Sequence, residues 1–181
     1  TNPDHFKYNM KRFISIFVIL VLFVTSIANS YAFEKAAGGS AKIAKVSLDN
    51  DYRVLVLREY LKQYNSPLID YADEFVLYAD QNNLDWRLVA AISGVESTFG
   101  KQIHYNSYNG WGWGIYGSNT YSFKSWEDGI ATVSSGLRQN YINKWGAQNI
   151  YQIGKIYAAS PTWAQRVVYF MQKIGDFGVK N

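Results

Sequence analysis

The stretch Asp85 to Gly100, DWRLVAAISGVESTFG, constrains this chain more than any other. Asp85 suits a helix N-cap and Gly100 suits the left-handed residue beyond a helix end, so both limits of a helix are marked. At about 100° per residue, Leu88, Ile92, Val95 and Phe99 form one apolar stripe, with Val89 on its flank. Glu96 falls between Ile92 and Val89 on that wheel, which predicts a carboxylate lying against apolar surface. Desolvation raises the pKa of such a group, and a carboxyl that keeps its proton near neutral pH can act as a general acid. The plainer reading of an isolated glutamate is a boundary residue that bends to solvent or meets an arginine. Its neighbours decide between the two.

Helical periods recur on both sides of this stretch. Val54, Leu57 and Leu61 repeat at helical spacing before the break at Asn65-Ser66-Pro67. Ser66 as N-cap with Pro67 in the first turn opens a second helix, with Leu68, Ala72, Phe75, Val76 and Ala79 facing inward, ended by Gln81-Asn82-Asn83. After the central helix, Lys101 to Lys124 follows neither helical nor strand period and reads as a long irregular loop with room for a short hairpin. Ser125 is placed to cap the next helix, whose stripe is Trp126, Ile130, Val133, Leu137 and Tyr141. Glu127 and Asp128 lie in its first turn, where the helix dipole favours negative charge. A short helix is expected over 150–158. A last one opens at Ser160-Pro161, faces inward with Trp163, Val167, Phe170, Met171 and Ile174, and closes at Gly175 and Gly178. Five or six helices around one core make an all-α domain over 51–178.

Of the 181 residues, 48% are hydrophobic, enough for one good core and hardly two. Lys11 and Arg12 precede the apolar run Phe13 to Val24, and Ser30-Tyr31-Ala32 has the small residues of a cleavage site, so 1–32 is read as upstream sequence plus a signal peptide starting at Met10. The run is short for a membrane span. A secreted or cell-envelope protein, extracellular or periplasmic, is expected, the alternative being retention by the N-terminal apolar segment. Residues 33–50, small and polar with paired glycines, read as a linker. Without 1–32, which holds Lys7, Lys11, Arg12 and Asp4, 15 basic face 13 acidic residues. That weak excess, with no basic block, argues against a nucleic-acid partner and suits an anionic cell wall. The absence of cysteine excludes thiol catalysis and thiolate metal sites.

The loop holds Tyr105, Tyr108, Trp111, Trp113, Tyr116, Tyr121 and Phe123 among Asn106, Ser107, Asn109 and Asn119, interleaved with Gly110, Gly112, Gly114 and Gly117. Flat rings bind the apolar faces of sugars, asparagine offers a donor and an acceptor to hydroxyl and N-acetyl groups, and glycine lets backbone approach a ligand. Aromatics that simply pack the loop onto the domain are the competing reading. From Ser97 through Trp126 there is neither Asp nor Glu. A two-carboxylate glycosidase would need Glu127, Asp128 or a distant residue as its second acid. The simpler scheme uses Glu96 alone, with the substrate's own N-acetyl or 6-hydroxyl group completing the reaction. Metal hydrolysis is disfavoured because His104 stands alone outside the leader, and no cofactor is expected.

These residues resemble the lysozyme-like superfamily of peptidoglycan-cleaving enzymes, in its lytic transglycosylase and bacterial glucosaminidase branches, over roughly 68–174. Leu84 to Ile92 leading into Glu96-Ser97-Thr98-Phe99-Gly100 looks like the family's catalytic helix and its Glu-Ser motif. Trp113-Gly114-Ile115-Tyr116 resembles the aromatic-Gly-Ile segment of glucosaminidases, and Phe123 to Ile130 the segment after it. Ile156 to Trp163 looks like the terminal region from which a family tyrosine reaches the active site. The resemblance implies Glu96 as the catalytic acid, Tyr157 as a second catalytic residue, and Ser97, Asn106, Asn109, Trp111, Trp113 and Tyr116 as substrate-binding. Where transglycosylases carry a Gly-Leu-Met-Gln-like segment, this chain has Gly112-Trp113-Gly114-Ile115-Tyr116, which leaves the cleaved bond open. The reading is a monomeric, exported enzyme that cuts peptidoglycan glycan strands. The alternative is a non-catalytic wall-binding or assembly protein of the same fold.

Overall fold

In a computed structural model, residues 51–114 and 121–180 are described. The expected signal peptide, the linker and Tyr116 lie outside them. The described residues are helical and contain no strand, in agreement with the all-α expectation. Six α-helices run in order: α1 Tyr52–Lys62, α2 Ala72–Gln81, α3 Leu88–Ser97, α4 Trp126–Gly136, α5 Ile150–Tyr157 and α6 Trp163–Lys180. A 3-10 turn, Ile69–Tyr71, leads into α2, and a π-helical segment, Leu137–Lys144, continues α4.

Helix α3 is the buried centre. Leu88, Val89, Ala90, Ala91, Ile92, Ser93 and Gly94 are all buried, so it is enclosed nearly all round, as a helix must be when the others pack about it. The long helix α6 lies along it, joined by Trp163, Val167, Met171 and Ile174. The second helix starts later than predicted. Ser66 still organises its approach, accepting from Leu68 N at 3.0 Å and donating to Phe99 O at 2.7 Å, but regular α structure begins only at Ala72 after the 3-10 turn. Leu68, Ala72, Phe75, Val76 and Ala79 are core residues as expected.

Three further boundaries differ from the sequence reading. Helix α3 begins at Leu88, and Asp85 caps the turn before it by accepting from Arg87 N at 3.0 Å. At its other end the left-handed residue is Thr98 (φ 53°), followed by Phe99 (φ 57°) and Gly100 (φ 81°). Phe99 N donates to Ser93 O at 3.0 Å, and the Thr98 N–H is directed to the same carbonyl, so the helix end closes back on its last full turn. Burying the Phe99 ring against Tyr60, Tyr64 and Phe170 holds this costly backbone in place. Third, Gly175 and Gly178 do not close α6, which runs to Lys180. A Cβ at Gly175 would meet Arg87 Nη1 at 2.9 Å, and one at Gly178 would meet Val56 Cγ2 at 2.9 Å. Both glycines make room for neighbouring elements inside a continuous helix.

Candidate active site

Glu96 stands near the C-terminal end of α3, half-buried. Its Oε1 accepts a 2.6 Å hydrogen bond from the indole Nε1 of Trp163, the first residue of α6. Its Oε2 faces Gly112, where an added Cβ would stand 3.1 Å away. Burial raises the carboxyl's pKa above the ordinary value, opposed by the Trp163 hydrogen bond and by the charge of Arg166 one turn along α6. The edge-of-stripe position read from the helical wheel therefore corresponds to a partly desolvated carboxyl.

The loop reaches Glu96 because Trp111 anchors it. Trp111 is fully buried, with its ring among Phe75, Phe123 and Trp126 and its Nε1 donating to Val89 O at 3.0 Å. A side chain at Gly129 would collide with that ring at 2.5 Å, so α4 carries a glycine where the indole enters. Trp111 was expected to touch sugar. The structure leaves it no open face and makes it the core anchor that sets its neighbour Gly112 (φ 61°) against the carboxylate.

Asn109 and Ser97 also have structural places. Asn109 Nδ2 donates to Trp113 O and Tyr121 O, both at 2.8 Å, while Oδ1 accepts from Trp113 N at 3.0 Å. It ties the two limbs of the loop together, as does the Phe123 N to Ser107 O bond of 2.8 Å. Ser97 is buried. Its Oγ lies 2.7 Å from Gly110 O and 3.0 Å from Ser93 O and accepts from Gly100 N at 2.8 Å, latching the loop to α3. Both side chains were predicted as sugar contacts, and their polar atoms are engaged by backbone. Asn106 is exposed with φ 54°, in a turn beside exposed Tyr105.

Tyr157, at the end of α5, belongs to the Glu96 cluster. Its hydroxyl donates to Trp111 O at 2.6 Å, and its ring stacks on Trp163 at 4.7 Å and 23°. Burial, with the Glu96 charge second, pushes its phenol well above the ordinary tyrosine range, so it remains a neutral donor. Trp113 is half-buried, its ring lying where a Cβ at Gly136 would be 2.4 Å away. It meets Tyr157 at 6.0 Å and Tyr141 at 5.8 Å. Tyr141 also meets Tyr157 at 5.7 Å and Trp145 at 5.0 Å. A continuous aromatic wall thus runs from Trp163, beside the carboxylate, through Tyr157, Trp113 and Tyr141 to the half-exposed Trp145.

Of the residues singled out for the site in the sequence, Glu96, Tyr157 and Trp113 lie in one cluster, and three of its other members were not singled out. Trp163 was placed as a core residue, which it is, but its indole N–H is the direct partner of Glu96. A buried indole must find an acceptor, and that rule is the signal that could have pointed to it. Tyr141 was given an α-helical register, whereas the chain there is π-helical, a local form that often marks functional sites. Arg166 carried no sequence signal. Glu127 and Asp128 are placed elsewhere. Glu127 Oε1 accepts from Tyr78 OH at 3.2 Å, and Asp128 Oδ2 accepts from Lys124 N at 3.0 Å while Ser125 Oγ accepts from Asp128 N at 3.1 Å. The latter two bonds close the start of α4: the N-cap Ser125 takes the Asp128 N–H, and Asp128 reaches back to the N–H of Lys124, the residue before the cap. Among the described residues, no group of three or more His, Asp or Glu side chains is arranged to hold a metal ion. Compared with protein-family models and with curated proteins, the chain finds no match.

Proposed function

We propose that this protein is a lysozyme-like enzyme that cleaves the glycan strands of peptidoglycan, with Glu96 as its one general acid, exported to the cell envelope. The observation that carries the reading is the asymmetric setting of the Glu96 carboxyl. Trp163 Nε1 fills Oε1 at 2.6 Å, so the acid proton belongs on Oε2, beside a glycine that leaves space for a leaving oxygen. Burial favours that protonated form, as a glycosidic acid requires.

In the step itself, the proton passes from Oε2 to the glycosidic oxygen as the bond from that oxygen to the anomeric carbon breaks. The ionised carboxylate then faces the positive charge developing on the ring, and the Trp163 N–H and Arg166 stabilise it as it forms. The substrate supplies the second group. Its 6-hydroxyl can attack the anomeric carbon and return a proton to Glu96, leaving an anhydro ring. Its N-acetyl oxygen can attack instead, closing a ring on the anomeric carbon; water then attacks that carbon, breaks the new C–O bond and gives its proton back to Glu96, leaving a reducing sugar. Glu127 is engaged by Tyr78 and Asp128 by the start of α4, which supports a scheme without a second protein carboxylate. The outer part of the aromatic wall, Trp113, Tyr141 and Trp145, supplies faces for sugar rings.

Incubating the purified protein with cell-wall sacculi and identifying soluble fragments by mass spectrometry tests the reading. Anhydro ends are expected for internal attack by the 6-hydroxyl, and reducing ends for hydrolysis. Glu96→Gln keeps the shape and deletes the transferable proton, so turnover should fall at least about a hundredfold with unchanged circular dichroism. Wall binding without any fragments from the unaltered protein would establish a binding protein. Near-normal turnover by Glu96→Gln would remove this residue from the mechanism.

A further inference from the structure

Tyr157 closes a ring of contacts around Glu96. It is the last residue of α5 and Trp163 is the first of α6, and the turn between them sets the two side chains face to face at 4.7 Å and 23°. Gly154, one turn earlier on α5, makes room for the indole, since a Cβ there would stand 3.0 Å from its Cε3. That indole donates to Glu96 Oε1 at 2.6 Å. On its other side the Tyr157 hydroxyl donates to Trp111 O at 2.6 Å, and this carbonyl belongs to the same planar peptide as Gly112 N. Gly112, at φ 61°, is the residue that faces Oε2. The Trp111 ring has its own anchors in Val89 O and the rings of Phe75, Phe123 and Trp126. The peptide after it depends on the tyrosine, because glycine permits rotations that a side chain would block.

We infer that Tyr157 is a positioning residue for Glu96, which by stacking on Trp163 and holding the Trp111–Gly112 peptide fixes the neighbours of both carboxyl oxygens at once. The inference rests on the reading of Glu96 as the acid and departs from the direct catalytic part that the resemblance implies for this tyrosine. Its hydroxyl proton lies on a backbone carbonyl and so is not offered to substrate. Ring and hydroxyl have separate tasks. The ring holds the indole on Oε1, and the hydroxyl holds the peptide that leaves space at Oε2. Loosening either side misplaces an acid that acts only in the transition state, so the loss falls on kcat rather than on KM.

A double-mutant cycle on a soluble strand fragment tests the hydroxyl. Tyr157→Phe keeps the ring and should lower kcat about tenfold, the upper end for one neutral hydrogen bond, with KM within about twofold. Gly112→Ala disturbs the same peptide, so the double variant should lose little beyond the larger single loss. A hydroxyl acting on substrate would instead multiply the two losses. That product overturns the inference, as does full kcat in Tyr157→Phe, while the reading of Glu96 survives both. The ring is tested without substrate. In nitrogen-edited NMR spectra the Trp163 indole N–H, assigned with Trp163→Phe, should shift as Glu96 titrates and cease to do so in Glu96→Gln. It should stay near its place in Tyr157→Phe, which keeps the stack, and move in Tyr157→Leu, which removes it. An unmoved resonance in a folded Tyr157→Leu overturns the inference, and if that variant does not fold the cycle with Tyr157→Phe decides alone. Absence of turnover by the unaltered protein overturns the reading of Glu96, while an indole resonance that follows Glu96 and moves in Tyr157→Leu still upholds Tyr157 as the residue that sets the carboxyl's neighbour.

Discussion

At Glu96 the two carboxylate oxygens have different neighbours, an indole N–H on Oε1 and Gly112 beside Oε2, and under the proposed function that difference gives proton donation a direction. Its helical position was legible in the sequence because a wheel needs only the residues of one helix. Its bond to Trp163 was not, since the partners are 67 residues apart and meet only through the packing of α6 on α3. The same limit explains Trp111. An aperiodic indole between glycines looks the same in sequence whether it lines a cleft or plugs a core, and only the space left by Gly129 decides. Gly112 makes the sharpest prediction at this scale. Alanine there must hold φ near 61°, at a cost of about 1–2 kcal/mol, and its Cβ would press on Oε2 at 3.1 Å. Gly112→Ala should therefore remain folded in thermal melts and lose at least about tenfold in kcat, on the scale of displaced catalytic geometry. Unimpaired turnover would show that protons do not leave from the Gly112 side. Trp111→Ala, by contrast, should cost about 3–5 kcal/mol in denaturant unfolding, the range for emptying a core aromatic site.

Among the elements, α4 and its π-helical continuation divide the work. The N-terminal end was legible because capping is local chemistry: Ser125 was read as the N-cap with Asp128 in the first turn, and Ser125 Oγ accepts from Asp128 N. The C-terminal end was not. The π-helical segment that starts at Leu137 carries Tyr141, which meets Trp113 and Tyr157, with Trp145 against Tyr141, and no short-range pattern announces it. Arg138 Nε donates to Asn82 O at 2.6 Å and its Nη2 donates to Asn83 O, which pins this segment to the turn between α2 and α3. The division predicts that charge at the capped end is structural. Glu127→Gln and Asp128→Asn should each cost about 0.3–1 kcal/mol, the helix-dipole contribution, and leave turnover within a few-fold. Activity assays on these two beside Glu96→Gln decide the matter. If either is as inactive as Glu96→Gln while folded, a two-carboxylate hydrolase becomes the better account.

For the molecule as described, a pH-dependent contribution in the neutral range sits away from the candidate active site, between α2 and α4. Glu74 has a buried Oε2 without a hydrogen-bond partner, and burial, Asp73 and the charge of Glu127 push its pKa up to about 8 from 4.5. The folded protein therefore binds a proton there between those values that the unfolded chain has released. Stability falls with pH wherever the folded state holds more protons, so this contribution is complete below about pH 4.5 and is lost as pH rises to about 8. Glu96, also raised by burial, acts in the same direction. Asp51 and Asp85, held down by their hydrogen bonds to Arg53 and Arg87 against the effect of burial, act oppositely, and their contribution is lost only as pH falls below the ordinary carboxylate range. The melting temperature should thus decline from pH 5 to pH 8. Glu74→Gln, which keeps shape and hydrogen-bonding capacity without the titration, should flatten that decline and melt higher than the unaltered protein at pH 8 by roughly 3 °C or more, the shift that about 1 kcal/mol produces in a domain of this size. The check is a pair of thermal scans at pH 5 and pH 8 for the unaltered protein, Glu74→Gln and Glu96→Gln. An undiminished slope in Glu74→Gln would mean that this carboxyl is ionised in the folded state at neutral pH and that another group carries the dependence.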